Sequence, residues 1–112
     1  MADQIFIKKS RFTRDPSTVK FLFSKGGHEQ PGFAVLFAGK YYAYKNKCKH
    51  LEVELDWDNN EFFEEEDRFI VCATHGALYE PSTGKCLMGP CSGKSLEALK
   101  IKIDQEKLII TI

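Results

Sequence analysis

The side chains best able to do chemistry fall in two short runs, Cys48-Lys49-His50 and, after 21 residues, Cys72-Ala73-Thr74-His75 followed by Gly76. Thiolate and neutral imidazole are metal ligands, and the pair of types suits iron as well as zinc. The chain has only three His and four Cys, yet two of each sit in these compact pairs, so coincidence is a weak explanation. The remaining His28, Cys86 and Cys91 do not repeat the pattern. His28 stands between Gly27 and Glu29 in a turn-like stretch, where an exposed bystander is expected. Cys86 and Cys91 flank Leu-Met-Gly-Pro, close enough for a disulfide and equally well explained as two small buried hydrophobes. The opening Met-Ala-Asp-Gln shows no basic segment followed by an apolar stretch, so the expected location is cytoplasmic, where Cys patterns more often mean metal or catalysis than disulfides.

These runs need a frame, and 112 residues suit a single domain over 1–112. A hydrophobic fraction of 43%, with nine Phe, four Tyr and one Trp, supports a packed core and excludes a disordered or collagen-like chain. No apolar run approaches the roughly 18 residues of a membrane span. Strand-like runs recur at Gln4 to Lys8, Val19 to Phe23, Gly32 to Phe37, Tyr41 to Tyr44, Phe69 to Cys72, Leu99 to Ile103 and Leu108 to Ile112. Turn chemistry at Lys25-Gly26-Gly27, Gly39-Lys40, Ser82-Thr83-Gly84-Lys85 and Asp104-Gln105-Glu106-Lys107 separates them. The expected class is all-β, an antiparallel sandwich or small barrel, with its last two runs forming a hairpin that turns one face to the core.

Net charge is zero but uneven: residues 1–50 carry +7, residues 51–80 carry −9 and residues 81–112 carry +2. No overall charge draws the chain to nucleic acid or a membrane surface, and neither is expected as a partner. Between Leu51 and Asp67 acidic residues dominate, and only Leu55, Trp57, Phe62 and Phe63 could pack, which predicts a long, largely solvated insertion with an aromatic foothold. The run Glu64-Glu65-Glu66-Asp67 could steer a basic partner, although a plain solvated face is the favoured reading. Lys45, Lys47 and Lys49 could meet an acidic partner or balance the acidic loop.

C-x-H with a later C-x-x-H-G resembles the Rieske iron-sulfur family, in which two loops each supply one Cys and one His to a 2Fe-2S cluster. The resemblance implies that Cys48 and Cys72 hold one iron and His50 and His75 the other. It continues through Gly76-Ala77-Leu78-Tyr79-Glu80 and Ser82-Thr83-Gly84-Lys85, and Gly89-Pro90 looks like the family's proline loop, which covers the cluster. It spans about residues 48 to 99. It implies a Rieske-like antiparallel sandwich or barrel with a small cluster-binding subdomain, whose loops run from about 46 to 92. The gap of 21 residues is longer than a compact ferredoxin needs, and the acidic insertion accounts for the excess. Val53 and Thr74 stand where respiratory-complex members carry an extra Cys pair, which points to the soluble, oxygenase-associated ferredoxin branch.

The implied ligand set explains the implied chemistry. Two ferric ions, two sulfides and two thiolates sum to zero charge with neutral imidazoles, whereas four thiolates would leave a dianion. A neutral cluster accepts an electron more readily, which raises the potential into a range of about −150 to +300 mV. Ala77 stands where the high-potential branch carries a hydrogen-bonding Ser, which places this chain toward the lower end. A Tyr79 phenol could donate to a ligand sulfur, although packing alone would also explain it. The resemblance therefore implies a ferredoxin that passes single electrons from a reductase to a terminal oxygenase or other oxidoreductase and catalyses no reaction itself; a complete oxygenase is excluded on length. Other readings are a redox-sensing regulator with Cys86 and Cys91 as its pair, a small subunit of a larger reductase, or a zinc-stabilised interaction module. Because each iron-bound imidazole keeps a second, titratable nitrogen, the potential should fall as pH rises in the alkaline range.

Overall fold

The computed structural model describes residues 4–46, 55, 62–63, 68–72, 76–89 and 94–111. Among these, the strands are β1 (Gln4–Lys8), β2 (Ser17–Lys25), β3 (His28–Phe37), β4 (Lys40–Lys45), β5 (Ile70–Val71), β6 (Leu78–Tyr79), β7 (Cys86–Met88), β8 (Lys100–Asp104) and β9 (Lys107–Thr111). They form three antiparallel sheets, ordered β1-β9-β8, β2-β3-β4 and β5-β6-β7. A single 3-10 turn, Lys9–Arg11, is the helical element among the described residues, and no helix there is long and apolar enough to cross a membrane.

The middle sheet organises the rest because β3 is buried on both faces. Successive side chains of a strand point to opposite sides, yet Phe33, Ala34 and Val35 are all fully buried. Phe33 and Val35 pack with Tyr44, Leu55, Phe62, Ile70, Cys72 and Ala77 in one core. Ala34 packs with Ala43, Ile7, Val19, Leu108 and Ile110 in the other. The pairings Phe33↔Tyr44 and Ala34↔Ala43 carry the same division onto β4. The sheet of β1, β9 and β8 thus covers one face of the middle sheet, and the small β5-β6-β7 sheet covers the other.

The first core is aromatic. Phe33 stacks on Phe62 with ring centres 4.2 Å apart, and Phe37 stacks on Phe63 at 6.0 Å. Residues 97–99 tie the β1-β9-β8 sheet, the base, to the middle sheet: the Lys45 amide donates to the Glu97 carbonyl (3.0 Å) and the Leu99 amide to the Ala43 carbonyl (2.9 Å). In the β8–β9 hairpin, Leu108 and Ile110 are buried and Ile101 packs against them, as the alternation predicts, while Ile103 at its tip is exposed.

Each strand-like run of the sequence has its strand, with β2, β3 and β4 longer than expected and β5 shorter. β6 and β7 were not anticipated, because two or three residues are too few to show an alternation. The expected foothold of the insertion is present among the described residues. Leu55 and Phe62 are fully buried, Phe63 pairs with Ile70, and the Val71 amide donates to the Phe62 carbonyl at 2.7 Å. Trp57 lies outside the described residues.

The β3–β4 connection turns at Ala38 and Gly39, both with positive φ (51° and 79°), the conformation that tight hairpins favour. The carboxylate of Asp15 accepts from both amides, Ala38 at 2.9 Å and Gly39 at 2.8 Å, and locks the turn. A left-handed Ala is strained where Asn is tolerated. Ala38→Asn should therefore raise unfolding free energy by about 0.5–1 kcal/mol, and Asp15→Ala should lower it by about 1–2 kcal/mol, both read from urea denaturation.

Candidate metal centre

Of the four ligands expected from the sequence, Cys72 lies among the described residues; Cys48, His50 and His75 lie outside them. Accordingly, no group of three His, Cys, Asp or Glu converges among the described residues. What can be read is how the chain presents Cys72 and how the ends of each ligand-bearing segment are held.

Cys72 follows β5 and is fully buried against Ala77, Tyr79 and Phe33. Its amide donates to the Ala77 carbonyl at 2.9 Å, and its carbonyl accepts from the Gly76 amide at 2.8 Å. These two bonds close the segment holding His75 at its base, and Val71↔Leu78 pairing continues the closure into the sheet. The first segment is closed differently. The Asn46 side-chain oxygen accepts from the Leu55 amide at 2.8 Å, and the Asn46 amide donates to the Pro31 carbonyl at 3.0 Å. Cys48 and His50 lie between those two residues in sequence. Leu55 is itself packed in the core that contains Cys72.

A third segment meets the second at the same end of the small sheet, since Leu78 pairs with both Val71 and Met88. Gly89 has φ of 105°, and a Cβ there would stand 2.8 Å from the Ala77 Cα, so only glycine allows this approach. The start of the expected proline loop therefore sits directly on Ala77; Pro90 lies outside the described residues. Ala77 is fully buried and offers no side-chain donor, as expected. Tyr79 is fully buried too.

Polar contacts hold this subdomain to the middle sheet. The Tyr44 hydroxyl donates to the Pro81 carbonyl at 2.6 Å. Burial, with the negative charge of Tyr42 and Glu80 added, pushes its pKa above the ordinary tyrosine range, so it remains a neutral donor. The 80–85 turn is closed by the Glu80 amide on the Lys85 carbonyl (2.9 Å) and by the Thr83 hydroxyl on the Glu80 carboxylate (2.6 Å).

Other expectations resolve individually. His28 is exposed at the start of β3, as a bystander should be. The Lys45 ammonium pairs with Glu97 at 2.8 Å; Lys47, Lys49 and most of the acidic segment lie outside the described residues. Cys86 is a buried thiol donating to the Met88 carbonyl at 3.3 Å; Cys91 lies outside the described residues. The sequence reading missed Asn46 and Tyr44. Neither carries a local signal, since their partners lie 9 and 37 residues away.

The Rieske 2Fe-2S domain profile matches residues 8–105. The chain belongs to that family, and it carries one 2Fe-2S cluster. Cys72, a thiol sealed from water at the mouth of a closed turn, fits such a cluster, and a Cys2His2 donor set is the one this cluster type uses. Curated proteins yield no sequence match. Among solved structures, the chain is similar to the ferredoxin of carbazole 1,9a-dioxygenase from Nocardioides aromaticivorans IC177 (20% identity, 99% of this chain and 95% of that one, TM-score 0.72). It is also similar to the Sphingomonas yanoikuyae B1 ferredoxin (15% identity, 98% and 99%, TM-score 0.71). It matches 30% of the terminal oxygenase of carbazole 1,9a-dioxygenase from Novosphingobium sp. KA1, with 99% of this chain covered, at 17% identity and TM-score 0.73. At these identities the likeness is one of fold.

Tyr44→Phe should lower unfolding free energy by about 1–3 kcal/mol, because the Pro81 carbonyl loses its buried donor. The raised pKa of Tyr44 means that the folded protein holds this proton more tightly than the unfolded chain does. Its contribution is complete below about pH 10 and declines as pH rises further. Chemical denaturation between pH 8 and pH 11 should show that alkaline decline in the parent and a smaller one in Tyr44→Phe.

Proposed function

We propose that Cys48, His50, Cys72 and His75 are the cluster ligands and that the protein is a ferredoxin, taking one electron from a reductase and delivering it to a terminal oxygenase. The observation that carries this reading is the whole-chain superposition on stand-alone ferredoxins, 99% of this chain on 95% of the Nocardioides aromaticivorans IC177 ferredoxin. A similar chain, of which 94% is covered at TM-score 0.74, belongs to a complex of reduced oxygenase and oxidized ferredoxin in carbazole 1,9a-dioxygenase. The cluster supplies reversible one-electron storage. The chain supplies two thiolates and two imidazoles, a closed base beneath each ligand segment, and a buried Ala77 that donates nothing from its side chain. The protein works as a single domain over residues 1–112 with cluster-binding loops from about 46 to 92, in the cytoplasm.

Dithionite reduction of anaerobically purified protein should give a rhombic electron paramagnetic resonance signal, average g below the free-electron value, with two irons per chain. A silent sample holding one zinc per chain would instead establish a structural module.

A further inference from the structure

We propose that Asn46 is the positioning residue of the first ligand segment: its side-chain oxygen, bonded to the Leu55 amide, sets where Cys48 and His50 present their donor atoms to the cluster. The inference rests on the ligand assignment proposed above. Asn46 is fully buried, and a buried amide is retained only where its hydrogen bonds are made. Its oxygen spans nine positions to the Leu55 amide at 2.8 Å. Its own amide is fixed to the Pro31 carbonyl at 3.0 Å.

Both ends of the segment are thereby anchored in different places. One end hangs on β3, the strand buried on both faces. The other is Leu55, packed in the core with Cys72 and Ala77 from the second segment. The Asn46–Leu55 bond is the link that places the first ligand pair relative to the second. Residue type matters as much as position. A serine hydroxyl is shorter by one atom, and an aspartate would bring a negative charge beside a cluster that must accept an electron. Asparagine offers the acceptor without the charge.

The test compares cluster-loaded parent protein with Asn46→Ala and Asn46→Asp. Removing the acceptor should release iron to a chelator about tenfold or more faster and should change the g-values and midpoint potential. Asn46→Asp keeps an acceptor but loses the amide donors and buries a carboxylate, so it too should release iron faster than the parent, with a potential no higher. Parent-like iron release, g-values and potential in Asn46→Ala would overturn the inference. Should Asn46→Ala not fold, hydrogen exchange on the parent decides: a protected Leu55 amide supports the bond, and exchange at the free-peptide rate overturns it. Cys48→Ala separates the two readings, since a folded Cys48→Ala protein that keeps an intact cluster refutes the ligand assignment, independently of Asn46.

Discussion

The double-sided burial of β3 is the constraint on which the other elements depend. Its large residues, Phe33 and Val35, face the cluster-binding subdomain, while Ala34, paired with Ala43, faces the base sheet. Small side chains on one face let the base sheet seat closely; bulky ones on the other fill the space under a sheet whose strands are two or three residues long. Each large apolar side chain buried here contributes about 1.5–3 kcal/mol relative to exposure. Net stabilities of domains are only about 5–15 kcal/mol, so few of these contacts are dispensable. A strand pair as short as β5 and β6 would not persist alone in water. It persists because Ile70, Cys72, Ala77 and Tyr79 share a core with Phe33 and Tyr44.

On that support, polar contacts supply geometry. A typical hydrogen bond contributes about 1 kcal/mol net, but an unmade buried one costs more. Buried amides and hydroxyls therefore specify position more than they add stability. Tyr44 on Pro81 sets the 80–85 turn against the middle sheet, and the two backbone bonds of Cys72 close the second ligand segment. Gly89 on Ala77 brings the third segment to the same end. These contacts arise from separate strands, yet all bear on the neighbourhood of Cys72. A redox site gains from such an arrangement, because donors and dipoles held rigidly in place need not reorganise when charge arrives.

Much of this was legible in the residue order. Cys72 stood out as a candidate ligand from its spacing to His75, and the β8–β9 hairpin from Leu99, Ile101 and Ile103 alternating with lysines, because both signals are local. Ala77 and Gly89 were readable as parts of the family pattern, and the structure sets one directly on the other. In the acidic segment, Leu55 and Phe62 were legible as packing residues because they are apolar among charges, and both are buried. The Lys45–Glu97 ion pair had no local signal, because Glu97 is brought alongside only by the pairing of residues 97–99 with β4.

By itself, then, the sequence determined the all-β class, the family, the cluster and the candidate ligands, because ligand type, short spacing and period-two alternation are properties of neighbouring residues. Tertiary structure alone decided which face of β3 meets which sheet, that β6 and β7 exist, and that Asn46 reaches Leu55 and Tyr44 reaches Pro81. Those features join positions far apart in the chain. Nothing in residue order marks which distant carbonyl a buried hydroxyl will reach; that follows only once burial has removed water as the competing partner.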